Sequence, residues 1–232
     1  MFAYIADAAA LVIFICSWLG YTTYVRRRHR TRPGLNALMV QRRHAWMTEM
    51  SRREVRIVDT AIMGTLQNGT AFFASTSLIA IGGAATLLRS TDDVLRVFAH
   101  LPFALPVSRG MWEAKVIGLL VIYGYAFFKF AWSYRLFNYA AILIGATPPA
   151  SSPDAEGRAK AAAAAARMNS VAAGHFVSGQ RALFVSFAYL GWFLGPVVFI
   201  ITTALIMVVI FRRQFDSDAL AALADDTPTD AA

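Results

Sequence analysis

The stretch VIGLLVIYGYAFFKFAWSYRLFNY, residues 116–139, decides the fold. Its first eighteen residues carry one charge, Lys129. At about 1.5 Å per helical residue, a run of roughly 20 residues crosses about 30 Å of hydrocarbon. The run is therefore predicted to be a membrane span over 116–134. Its end marks where hydrocarbon gives way to head groups. Trp132, Tyr134 and Tyr139 suit an interfacial aromatic belt, and Lys129 suits a snorkelling stem with its ammonium among the head groups.

Composition points the same way. Of 232 residues, 57% are hydrophobic and 16% charged, where soluble domains carry about a quarter charged residues. Mean hydropathy is +0.50. The net charge of +8 comes mainly from arginine, because Lys115, Lys129 and Lys160 are the only lysines. These charges flank apolar runs, so anionic lipid is the expected partner and nucleic acid is not. A single cysteine, Cys16, excludes a disulfide framework and a thiolate metal cluster within one chain.

Three further runs are predicted to span: 8–25, 71–88 and 182–211. The first lacks the basic leader and small-residue cleavage site of a signal peptide, and it ends on Tyr21, Tyr24 and Arg26 like an anchored stop. The last is too long for an upright span, which predicts tilt, a bend at Pro196 or protrusion from the bilayer. Ten arginines lie between Arg26 and Arg56, whereas no lysine or arginine precedes the first span. By the positive-inside rule the first and third loops face the cytoplasm and both termini are periplasmic, against the weak opposing vote of Arg212 and Arg213. The expected location is the bacterial inner membrane.

The fold class is thus all-α: a polytopic membrane protein with four transmembrane helices and two helical cytoplasmic loops. Residues 1–215 form one membrane domain, and 216–232 an acidic, mobile tail. The inner helices are predicted at 35–57 and 153–177. The first, basic and amphipathic, lies on the inner leaflet or packs on the other loop, and it is read as running unbroken into the second span. Ser152-Pro153 reads as the start of the second, with proline at the first helical position. Its alanines bury little surface, so it must lean closely on a neighbour.

Two readings of the charges at the inner end stand side by side. In one, they snorkel. In the other, Lys129, Arg135, Asn138, Arg181 and Arg56 line a basic site for an anionic lipid or partner, with Asp59 and Glu54 near enough to pair with the arginines instead. Gly191 and Gly195 form a G-x-x-x-G, and Gly82 and Gly83 give the second span a small face, so close helix packing is expected there. Homo-oligomerisation is the alternative use of those faces. No histidine lies within a predicted span, no span centre carries Asp or Glu, and no phosphate loop or nucleophile elbow occurs. No catalytic group, metal or cofactor is expected. The reading is a non-enzymatic binding or scaffold protein, with an anion channel or carrier, or a lipid-modifying enzyme, as alternatives.

The segments FFKFAWSYRLFNYAAILIGATP (127–148), NSVAAGHFVSGQRALFVSFAYLGWFLGP (169–196) and FFASTSLIAIGG (72–83), with Asp7, resemble a family of bacterial integral membrane proteins catalogued as domain of unknown function 599. That resemblance implies a four-span protein and highlights Lys129, Trp132, Arg135, Asn138, Asn169, Gly179 and Arg181. It implies no activity.

Overall fold

A computed structural model describes residues 2–28, 34–100 and 107–224. His29 and Arg30 of the RRRHR cluster, Pro33 and the last eight residues of the acidic tail lie outside it. Among the described residues eight α-helices follow one another: α1 (Phe2–Arg28), α2 (Leu35–Ser51), α3 (Ile57–Arg89), α4 (Thr91–Ala99), α5 (Arg109–Ala146), α6 (Ala155–Leu190), α7 (Pro196–Phe215) and α8 (Asp218–Ala224). The described residues contain no strand. Among the described residues, four helical segments are long and apolar enough to cross a membrane: Tyr4–Val25, Ile57–Arg89, Arg109–Ala146 and Pro196–Leu223. The all-α, four-span class is therefore present as expected. Within the expected membrane domain the chain gathers into two compact units: Met1–Asn36 with Ile79–Gly124 and Arg181–Ala232, and Ala37–Leu78 with Tyr125–Gln180.

In the first unit α1 and α7 lie side by side and run the same way. Phe14 packs on Phe199 with ring centroids 5.0 Å apart. Further along both helices, Tyr21 donates its hydroxyl to the Ile210 carbonyl at 3.4 Å, and Tyr24 meets Phe211 and Phe215. At the opposite end, Asp7 accepts a hydrogen bond from Trp192, just before α7 begins. The first residue of α1, Phe2, and the last of α7, Phe215, therefore lie at opposite ends of this helix pair.

The last ten residues of α6, 181–190, pass from the Tyr21 end of α1, where Arg181 lies over that ring at 5.1 Å, to the middle of α1, where Tyr189 meets Phe14. The run 182–211 does break at Pro196, as one of the expectations had it, and the break is a full reversal into two antiparallel helices. A 3-10 turn, Gly191–Leu194, joins them, and Gly195 at φ 130° redirects the chain into Pro196. Only glycine adopts that φ without strain, and proline suits a first helical position, where no amide is needed. Gly191 has a different reason: a Cβ there would stand 2.3 Å from the Thr202 hydroxyl, which donates to the Ala188 carbonyl at 2.9 Å. The G-x-x-x-G is therefore a turn that lets α7 fold back on α6. Beside Gly82 and Gly83 an added Cβ would meet nothing within 4 Å.

The second unit packs α2, residues 57–78 of α3, residues 125–146 of α5 and residues 155–180 of α6. Met47, Met50, Met63, Leu136, Phe137, Ala140 and Ile144 form its core with Ala165, Ala166 and Ala172. The alanine helix does lean closely, since all three alanines are buried against bulky neighbours. The apolar run 139–146, too short to span alone, continues α5. Helix α6 starts at Ala155, with Asp154 accepting the Gly157 amide at 2.8 Å, so the cap is Asp154 rather than Ser152. In this unit too, α6 runs antiparallel to α5: the Ser133 hydroxyl donates to the Ala172 carbonyl at 2.7 Å, and Gly179 sits against the Phe130 ring. The expected unbroken helix from 35 into the second span stops at Ser51 and restarts at Ile57.

Candidate functional site

Three polar constellations stand out, two of them centred on a buried charge and one facing outward. The first explains the break between α2 and α3. Asp59, in the first turn of α3, is fully buried. Its Oδ1 accepts from Trp46 Nε1 and from Arg53, both at 2.8 Å. Each bond draws the end of α2 and the following turn over the start of α3. Arg56 donates to the carbonyls of Ile144 at 3.1 Å and of Thr147 and Pro148 at 2.6 Å. A helix end leaves its last carbonyls without intrahelical donors, and a guanidinium satisfies them with favourable charge. Asn138 is equally committed, its Oδ1 accepting from Gln67 at 2.7 Å. Arg43, pushed down from the usual guanidinium range by burial, donates to buried Asn169, which in turn contacts Met63 sulfur.

The second constellation lies in the first unit. Lys115 is 2% exposed, and its Nζ donates to the Trp192 carbonyl at 2.9 Å and stands 3.5 Å from Asp7 Oδ1. The ammonium also lies 5.1 Å from the Trp192 ring centroid. Trp192 donates its indole N–H to the same Asp7 oxygen. The sequence reading placed Lys115 at a loop edge and left Asp7 without a partner. A signal was available: both residues sit just before spans that start on the same side, hence at the same depth.

The outward-facing constellation runs along α5. Tyr125, Trp132 and Tyr139 are seven residues apart, which puts them on one line with a drift of about 20° per step. All three are exposed. Lys129 flanks the line on one edge, its Nζ 5.3 Å from the Tyr125 centroid. Arg135 flanks the other, its guanidinium carbon 5.7 Å from the Trp132 centroid and 5.5 Å from that of Tyr139. Arg135 Nε donates to the Tyr139 hydroxyl at 2.6 Å. Neither cation has a carboxylate partner among the described residues. The aromatic faces hold both charges in place without neutralising them.

Of the five residues expected to form a basic site, two keep free charge on one helix face, Lys129 and Arg135. Arg56 is consumed by the end of α5, Asn138 by Gln67. Arg181 belongs to the other unit and lies over Tyr21. No group of three His, Cys, Asp or Glu able to hold a metal occurs among the described residues.

A family model described as protein of unknown function, DUF599, matches residues 9–219. No curated protein and no solved structure matches the chain.

Proposed function

We propose, for a chain that belongs to the DUF599 family of proteins of unknown function, a non-enzymatic role in the plasma membrane: binding anionic lipid head groups at the inner leaflet through the Lys129–Arg135 face of α5. The carrying observation is the contrast between committed and uncommitted cations. Arg53 and Arg56 are used up inside the second unit, whereas Arg135 and Lys129 stand on exposed rings with donors to spare. A lipid phosphate meets them where the aromatic stripe meets the head groups. A guanidinium recognises it through paired donors.

The inner placement rests on threading. With α1 and α7 parallel, an outside N-terminus goes with an inside C-terminus. Arg212 and Arg213 at the end of α7 then join the arginines of 26–56 on the cytoplasmic side, and the one charge bias that opposed the threading disappears. This threading needs α6 as a fifth traverse, one that hydropathy misses because the helix carries His175, Gln180 and Arg181 among its alanines.

Native mass spectrometry of the protein in mixed phosphatidylglycerol–phosphatidylcholine nanodiscs tests the reading. Arg135→Ala should reduce retained phosphatidylglycerol several-fold, and Lys129→Ala by less, while Arg167→Ala on the exposed face of α6 leaves it unchanged. Equal losses for all three would leave diffuse charge attraction only and sink the proposal.

A further inference from the structure

The α6–α7 turn leaves the Trp192 carbonyl without its α-helical donor and with only a short-turn one. In a continuous helix the Trp192 carbonyl would receive the amide of residue 196, but residue 196 is proline and has no N–H. The Gly195 amide reaches it at 3.2 Å. The stronger donor is Lys115 Nζ at 2.9 Å. Broken helices inside membranes offer such freed carbonyls to cations, and a carboxylate at the same depth supplies the counter-charge. Here Asp7 is that carboxylate, and the Trp192 ring adds the electron-rich face that ammonium groups favour.

We propose that Asp7 and Trp192 form a binding site for a primary ammonium ion, that the ammonium of Lys115 is its resident ligand, and that this self-occupied site latches the α6–α7 turn to α1 and α5. The three recognition elements differ in kind: a carboxylate oxygen, a backbone carbonyl and an aromatic face. Trp192 serves both charges, giving its indole N–H to Asp7 and its carbonyl to Lys115. The neighbouring charges do not compete. Arg109 pairs with Glu113 at 2.9 Å and with Asp92 at 3.1 Å, all on the exposed side of the unit. Burying an ammonium in an apolar surround costs heavily unless it is paired, so Lys115 stays only because the site is there. Asp7, with its side chain 15% exposed, is the side from which a small cation reaches the site once Lys115 is removed.

Chemical rescue tests the site as binding chemistry rather than packing. Thermal unfolding in nanodiscs is followed for Lys115→Ala, with n-butylammonium as the side-chain analogue and n-butanol as its uncharged control. The midpoint should fall by about 10 °C on truncation, and millimolar n-butylammonium should restore half or more of the loss while n-butanol restores none. The pair Asp7→Asn with Lys115→Met should unfold later than Lys115→Met alone, because the orphaned carboxylate is gone. Should Lys115→Ala not accumulate, Asp7→Asn, which keeps an acceptor for the indole, should still lower the midpoint. Equal effects of butylammonium and butanol, or an unchanged midpoint in Asp7→Asn, would overturn the proposal.

Discussion

Phe130 occupies the space that a side chain on Gly179 would need: a Cβ there would stand 2.8 Å from two ring carbons. The ring cannot retreat. It is fully buried, stacked on Phe73 at 5.4 Å and met edge-on by Phe176 at 5.6 Å. Gly179→Ala should therefore destabilise the protein by about 1–3 kcal/mol through overpacking. Adding Phe130→Leu should recover part of the loss in the same unfolding assay, and an additive double mutant would show that the two do not touch.

Arg56 is the donor for three carbonyls at the end of α5, and glutamine cannot reach all of them. Arg56→Gln should cost about 3 kcal/mol, since bonds to a charged donor are the stronger kind and a buried helix end is left open. Amide exchange over 143–150 should rise. Arg52→Gln is the control: its bond to Glu49 joins two exposed side chains and should be worth less than about 1 kcal/mol.

Asp59→Ala removes the acceptor shared by Trp46 and Arg53. The indole N–H and the guanidinium both lose their buried partner, so a loss of about 2–4 kcal/mol is expected. Trp46 emission should shift to longer wavelength as water reaches its N–H. Asp59→Asn should be milder, keeping the acceptor without the charge.

What could be read in the sequence was what hydropathy and arginine spacing encode locally. The four apolar helices, the outward-facing rings of Trp132 and Tyr139, and the close-leaning alanine helix all follow from side-chain chemistry along one segment. The reversal from α6 into α7 does not, because the end of α6 packs on α1 and α7 through residues distant in the chain. The glycines at 191 and 195 show the same limit. Their spacing matches a packing motif, yet one is required by the Thr202 hydroxyl and the other by a backbone angle, and both depend on where α7 returns. Arg56 and Asn138 looked free for the same reason. Their partners, the end of α5 and Gln67, are distant in the chain. Lys129 and Arg135 were legible because their partners are aromatic rings three or four residues away on one helix.

Protease protection of the two chain ends tests the threading on which the inner-leaflet site depends. With an epitope tag appended at each end, protease added to intact spheroplasts should remove the N-terminal tag and spare the C-terminal one until the membrane is lysed. Loss of both tags from intact spheroplasts, or protection of both, would contradict an odd number of traverses and the parallel course of α1 and α7.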